Sequence, residues 1–158
     1  MKTICLTIAS LGLSLFSLTA FAQSTAPALT AYLGVKDALV ATNGVKAKDQ
    51  ATTLSSALTN VETAKLSVTD KKALLMAKTH ATAISKTTDV VKQREQFGML
   101  STSMIALIKA TKPAKAYVQY CPMAAKGKGA SWLSDKREIR NPYYGDKMLK
   151  CGSVKEEL

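Results

Sequence analysis

Four sulfur atoms in the C-terminal third of the chain form two short motifs suited to metal binding. Cys121 and Met123 form a C-x-M motif, and 25 residues further on Met148 and Cys151 form an M-x-x-C motif. Two thiolates and two thioethers are soft ligands, which select Cu(I), and by the same chemistry Ag(I), over hard cations. The short spacing within each motif lets both of its sulfurs point to one centre. The pattern therefore predicts a Cu(I) site in which the thiolates dominate the affinity.

The same residues have two simpler interpretations. Cys121 and Cys151 can form a structural disulfide, and closing that loop is worth roughly 3.5 kcal/mol on the loop-entropy model. The methionines can be ordinary core filler, since a flexible thioether packs well in irregular cores. A disulfide and a metal site are mutually exclusive, because the disulfide removes both thiolates. The methionine beside each cysteine favours the metal site, since a disulfide has no use for it.

The segment around the sulfur motifs combines turn residues with large apolar side chains. Glycines and an Asn141-Pro142 pair predict a mostly irregular structure, with Tyr117–Tyr120 as a short strand. The apolar residues argue against disorder and predict that the segment docks onto the rest of the protein: Trp132, Leu133, Ile139, Tyr143, Tyr144 and Leu149. Trp132 could also lie against the metal site and shield it, or hold a cation against its ring face.

Residues 23–112 have the spacing of amphipathic helices, because apolar side chains recur at steps of three and four residues. The stripes predict four helices, near residues 29–40, 46–61, 70–86 and 90–111. Short connections between helices of similar length favour an up-down antiparallel bundle, so the predicted fold class is all-α. The third and fourth helices could also be one long helix, since no strong breaker lies between them.

Capping residues mark the predicted helix ends. Asn43 and Gly44 are expected to end the first helix, since both tolerate the left-handed conformation common at such ends. Ser67 and Asp70 supply an N-cap oxygen and a first-turn acid for the third helix. Thr87-Thr88-Asp89 predicts a restart before the fourth helix, which should end before Lys112-Pro113.

Three helical residues have side chains that could do more than pack. Met76 and His80 lie four residues apart, on adjacent turns of one helix face, and could bind a soft metal. We favour a hydrogen-bonded structural role for His80, the only histidine of the chain. Arg94 faces the same side as Val90 and Phe97, so it is assigned a structural role. A buried guanidinium there needs a carboxylate or carbonyl partner, unless its stem covers apolar surface and its head stays in water.

The N-terminal residues 1–22 have the pattern of a secretory signal. Lys2 provides a positive n-region, Ile4–Phe21 is uncharged, and Ala20-Phe21-Ala22 is an A-x-A cleavage site. Cleavage would leave Gln23 as the first residue, and retention as a membrane anchor is the less favoured alternative. The remaining chain is predicted to be a single domain, residues 23–158, with a helical bundle at 28–112 and a Cys/Met segment at 113–155.

The chain is basic, with a formal net charge of +11 that becomes +10 once Lys2 leaves with the signal. Its lysines are scattered along the helices rather than clustered. We therefore interpret them as a solvated surface and expect no nucleic-acid partner, although weak attraction to anionic membrane surfaces is compatible with the charge. A second apolar run of 18 residues is absent from the sequence, so no stable membrane insertion is expected after cleavage.

The C-terminal motifs resemble the DUF3347 family. The resemblance is carried by the motifs at residues 120–124, 129–134 and 139–152, with a last-helix pattern at 93–101, and covers about residues 28–155. It implies a helical bundle closed by the Cys/Met segment and an association with heavy-metal handling, since such domains also occur joined to copper and silver efflux adaptors. By that motif, the four sulfur residues carry over as the metal residues, whereas His80 lies in no matching motif.

The sequence as a whole predicts a periplasmic protein that binds Cu(I) or Ag(I), buffering it or passing it to an efflux adaptor or another periplasmic protein. We expect no enzyme, because the sequence has no histidine beside either cysteine, no zinc-type ligand cluster and no phosphate loop. Two alternatives stay open. One is a noncatalytic interaction module with a structural Cys121–Cys151 disulfide. The other is a thiol-disulfide redox protein, although the chain lacks C-x-x-C.

Overall fold

A computed structural model of the protein describes residues 20–158, with side chains from Thr25 onward. All but the last three residues of the predicted signal segment, 1–22, lie outside the described residues, so the signal and its cleavage stay predictions. Within residues 20–158, no helix combines the length and the apolar character needed to cross a membrane.

Four long helices pack into a bundle, which confirms the predicted architecture. They are α1 (Ala20–Val40), α2 (Gly44–Thr59), α3 (Val68–Ser85) and α4 (Val90–Thr111). Each helix packs against the next one in the chain, and α4 also packs against α1. The predicted apolar stripes supply the core, since Leu54, Leu58, Ile84 and Phe97 are fully buried. The helices α3 and α4 are separate, as the predicted restart requires.

The turn between α1 and α2 differs from the prediction. Thr42, with φ 53°, adopts the left-handed conformation that the sequence assigned to Asn43 and Gly44. The Asn43 side chain instead accepts a hydrogen bond from the Lys46 amide at 2.9 Å, so it is the N-cap of α2. Gly44 is the first residue of α2. An Asn directly before a helix accepts a hydrogen bond from an otherwise unpaired amide of the first turn. Here Asn43 takes that N-cap position instead of the left-handed position at the end of the preceding helix.

The other helix ends follow the capping signals. Ser67 Oγ accepts a hydrogen bond from the Asp70 amide at 3.1 Å at the start of α3. Asp89 Oδ1 accepts from the Val91 amide at 2.9 Å at the start of α4. Lys112, with φ 43°, ends α4 in the left-handed conformation directly before a proline. These caps satisfy backbone groups that the helices leave unpaired.

The C-terminal segment contains a small antiparallel sheet, so the all-α label is overstated although the helical bundle holds. Its strands are β1 (Tyr117–Cys121), β2 (Ala130–Ser134) and β3 (Ser153–Glu157), in the order β2-β1-β3. A 3-10 turn, Gly145–Met148, lies between β2 and β3. The strand β3 could not be predicted from the sequence, because its five residues are exposed or only half-buried and therefore show no alternation of apolar and polar residues.

A row of four aromatic rings joins the bundle to the sheet. Tyr32 of α1 stacks on Phe97 of α4 with ring centroids 5.3 Å apart. Tyr143 packs against Phe97 at 5.7 Å and against Trp132 of β2 at 5.9 Å. Trp132 and its neighbour Leu133 are fully buried. Bundle and sheet therefore share one core.

Candidate functional site

The two cysteines of the sulfur motifs meet in the folded chain. Cys121, the last residue of β1, forms a disulfide with Cys151, and their Cα atoms lie 5.7 Å apart. Cys121 is fully buried, whereas Cys151 is partly exposed. The carbonyl oxygen of Cys151 accepts a hydrogen bond from Asn141 Nδ2 at 3.0 Å, which fixes the loop that carries it. The pairing is thus the one that the spacing allowed, and the pair is oxidised.

The two methionines lie on turns that flank this disulfide. Met123 follows β1 and is 52% exposed. Its carbonyl oxygen accepts a hydrogen bond from Tyr144 Oη at 2.5 Å. Met148 ends the 3-10 turn and is half-buried, and its carbonyl oxygen accepts from the Cys151 amide at 3.0 Å. The backbone of Met148 is therefore hydrogen-bonded to Cys151 itself, and the backbone of Met123 to Tyr144 in the neighbouring loop.

The Trp132 side chain lies beside the backbone that follows the disulfide. A β-carbon added to Gly152 would be 3.0 Å from Trp132 Cη2 and 2.9 Å from the Tyr120 carbonyl oxygen. Gly152 also has φ 142°, a conformation that other residues rarely adopt. The glycine after Cys151 therefore lets the chain pass between a buried indole and β1. Trp132 Nε1 is buried without a hydrogen-bond partner among the described residues.

The second candidate pair lies on α3, which contributes no residue to this disulfide. His80 is buried, and its Nδ1 lies 3.0 Å from Gln96 Oε1 of α4, within hydrogen-bond distance. Met76 is 39% exposed. Across residues 20–158, no group of three or more His, Cys, Asp or Glu side chains is placed to hold a metal. A site at Met76 and His80 would have to use Met sulfur and the Nε2 atom of His80, since Nδ1 is engaged with Gln96.

Arg94 has carbonyl partners rather than a carboxylate. Its Nε donates to the Pro142 carbonyl oxygen at 2.9 Å. Its Nη2 donates to the Leu39 carbonyl oxygen at 2.9 Å and to Thr42 Oγ1 at 3.1 Å. Partial burial lowers the pKa of the guanidinium from its ordinary value. The positive charge lies at the C-terminal end of α1, where the helix dipole favours a cation.

An open groove beside Arg94 was missed by the sequence analysis. It lies between α4 and the turn that joins β1 to β2, with a volume of about 590 Å³. Val91, Gly98 and Met99 provide its α4 side, and Tyr143 lines it from the C-terminal segment. The available signal was a second stripe on α4, off the buried face, where Val91 and Met99 leave apolar surface exposed.

Comparison with known proteins identifies the bundle but not the sulfur site. Residues 28–116 match the model of a family described as a protein of unknown function, DUF3347. The match ends one residue before β1, so it includes none of the four sulfur residues. Neither the curated proteins nor the solved structures contain a match to the chain.

Proposed function

The chain belongs to the DUF3347 family, and from its own residues we propose that it binds Cu(I), or Ag(I), through sulfur once the Cys121–Cys151 pair is reduced. The observation that carries this proposal is the meeting of two cysteines that lie 30 residues apart. Each brings a methionine within three residues along the chain. The proposed role is to buffer the ion in the periplasm or to pass it to an efflux adaptor, with no catalytic step.

The donor set suits a soft monovalent ion. Reduction of the disulfide by a dithiol takes up two electrons and two protons and leaves two thiols. Binding of Cu(I) then releases the thiol protons, because the thiolate is the metal ligand. Two thiolates with thioether support match the preference of Cu(I), whereas Zn(II) favours four nitrogen, oxygen or thiolate ligands. The exposed Met123 can turn toward the ion without breaking a core contact, since half of its surface is free.

The position of the pair also suits exchange with a partner. Cys151 is partly exposed while Cys121 is fully buried, so a donor or a reductant would first reach Cys151. Thiol-disulfide exchange and metal transfer both need such access to one sulfur. A handover of Cu(I) to another periplasmic protein would therefore begin at Cys151 and Met148, on the loop before β3.

The disulfide itself favours a second candidate function, a noncatalytic interaction module. The bond joins the end of β1 to the loop leading into β3, the strand that pairs with β1. It would then act as a permanent brace for the C-terminal segment, and no metal would bind. The two candidates differ in one property, which is whether the reduced protein takes up Cu(I).

Competition with a chromophoric Cu(I) chelator under anaerobic conditions tests the proposal. In reduced protein, Cys121→Ser or Cys151→Ser should weaken binding by far more than Met123→Leu or Met148→Leu, because thiolates bring charge as well as softness. Met76→Leu, which removes an exposed methionine on α3, is the matched control and should bind as the wild type does. Equal affinity in the cysteine variants and the wild type would assign the metal to another site or to none.

A further inference from the structure

The groove beside Arg94 is apolar on its walls and open to solvent. Val91 and Met99 on α4 are 67% and 46% exposed, and both line it. Tyr143 uses its hydroxyl elsewhere, donating to the Ser131 carbonyl oxygen at 2.7 Å. The Tyr144 hydroxyl likewise donates to the Met123 carbonyl oxygen. The groove therefore presents aromatic carbon rather than phenol groups, and its volume of about 590 Å³ is that of a small-molecule site.

One wall of the groove carries the Arg94 guanidinium, which has hydrogen-bond donors that the described residues do not use. Arg94 makes its three hydrogen bonds through Nε and Nη2, and its Nη1 makes none within the described part of the chain. No carboxylate among residues 25–158 forms an ion pair with Arg94. A partly buried charge is favourable only when an opposite charge or hydrogen bonds compensate for lost water. One edge of this guanidinium is thus available to an anion.

Two lysines strengthen the positive character of the groove. Lys126 and Lys128 line it from the turn between β1 and β2, and Glu95 is the one acidic residue among its lining. Ala125 and Lys126 hold left-handed backbone conformations, with φ 51° and 60°. Non-glycine residues adopt this conformation at a cost, and such strain clusters at ligand-binding sites. The turn thereby places two cations opposite the apolar face of α4.

We infer that the groove binds a small amphipathic carboxylate, with the apolar body on Val91, Met99 and Tyr143 and the carboxylate near Arg94 and the two lysines. Three cations against one acid favour an anion over a cation. The exposed carbon surface favours an acyl or aryl body over a fully polar anion such as phosphate. The lining of the groove includes none of the four sulfur residues, so the inference does not rest on the proposed metal binding.

Isothermal titration calorimetry with dodecanoate, below its micelle concentration, tests the inference on the full-length oxidised protein. Dodecyltrimethylammonium, which has the same chain and the opposite charge, is the matched probe. We expect saturable binding of dodecanoate and at least tenfold weaker binding of the cation. Amide shifts in two-dimensional NMR spectra should map to Gly98 and Ala130 on the groove walls.

Two variants and one control locate the site. A β-carbon at Gly98 would have only Tyr143 Cε1 near it, at 3.9 Å, so Gly98→Leu fills the groove without disturbing the fold and should abolish binding. Lys126→Asn with Lys128→Ala keeps a residue that tolerates the left-handed turn and should weaken binding about tenfold. Lys71→Asn with Lys72→Ala removes the same charge from an exposed part of α3 and should have no effect. No saturable binding, equal binding of the cation, or unchanged binding by Gly98→Leu would overturn the inference.

Discussion

Arg94 donates a hydrogen bond from Nε to the carbonyl oxygen of Pro142, 2.9 Å away, and so ties α4 to the C-terminal segment. The Nη2 atom of the same side chain donates to the last turn of α1 through the Leu39 carbonyl oxygen. One guanidinium thus holds three parts of the chain that are far apart in sequence. The Pro142 carbonyl belongs to the segment that leads to Met148 and Cys151, so the same hydrogen bond ties that segment to the bundle.

Replacing Arg94 should therefore destabilise the whole fold. Arg94→Gln removes three hydrogen bonds from a cation and leaves two carbonyl oxygens without it, so we expect the free energy of unfolding to fall by about 3 kcal/mol. Urea denaturation of the oxidised protein measures this change. Arg140→Gln, at an exposed arginine, is the control and should change stability by less than about 0.5 kcal/mol. Equal small effects for both variants would contradict the tethering role.

Gly145 should tolerate no side chain, because it lies where Arg94 meets the end of α1. Its φ is 57°, and an added β-carbon would be 2.6 Å from Thr42 Oγ1 and 2.9 Å from the Val40 carbonyl oxygen. We expect Gly145→Ala to cost about 3 kcal/mol in thermal or urea unfolding. Gly127→Ala is the matched control, since that glycine also has positive φ but open space around it, and should cost about 1 kcal/mol.

The bundle and the strand β1 were predictable from the sequence, whereas the rest of the sheet was not, for reasons that individual residues show. Ser67 and Asp89 are local capping signals, so the helix starts could be derived from a few neighbouring residues. The strand β3 (Ser153–Glu157) depends on pairing with β1, more than thirty residues earlier, and its own pattern carries no such signal. Local periodicity cannot report a partner that is distant in sequence.

The candidate site shows the same division. The spacing of Cys121 and Cys151 allowed a disulfide, and the structure contains it, but only the fold of β1 and the 3-10 turn could bring the two sulfurs together. The carbonyl partners of Arg94 belong to α1 and to the C-terminal segment, so its prediction as a structural residue could not include them. The groove was missed because its opposite walls come from α4 and from a turn near Lys126.

Stability should decline at high pH because of a buried phenol. Tyr32 Oη lies 2.7 Å from Ser101 Oγ and accepts a hydrogen bond from the Leu133 amide at 3.1 Å. Burial raises the pKa of Tyr32 well above its ordinary value near 10. Above pH 10 the unfolded chain loses this proton while the folded chain keeps it, so the free energy of unfolding falls by about 1.4 kcal/mol per pH unit.

Urea denaturation between pH 7 and pH 11 tests this contribution. Above pH 10 the free energy of unfolding of Tyr32→Phe should decline less steeply with pH than that of the wild type, because the variant has no ionisable hydroxyl at position 32. At pH 7 the same variant should be less stable by about 2 kcal/mol, since the Leu133 amide loses its acceptor. A decline in Tyr32→Phe as steep as that of the wild type would show that other groups cause it.

The disulfide should contribute to stability because it lowers the conformational entropy of the unfolded chain. Cys121→Ala with Cys151→Ala should lower the free energy of unfolding by roughly 3.5 kcal/mol relative to the oxidised wild type. Urea denaturation with and without dithiothreitol separates the bond from the loss of side chains. The reductant should destabilise the wild type by a similar amount and leave the double variant unchanged. If complete reduction left the free energy of unfolding of the wild type unchanged, the disulfide would not stabilise the fold.

On the proposed function, metal and disulfide are alternative states of one cysteine pair. Its most direct test compares Cu(I) affinity of the oxidised and the reduced wild type by anaerobic chelator competition, with X-ray absorption to identify the neighbours of the ion. We expect tight uptake with sulfur neighbours only after reduction, loss of uptake after reoxidation, and recovery on renewed reduction. Equally tight binding by the oxidised protein, in which Cys121 and Cys151 offer no thiolate, would contradict it.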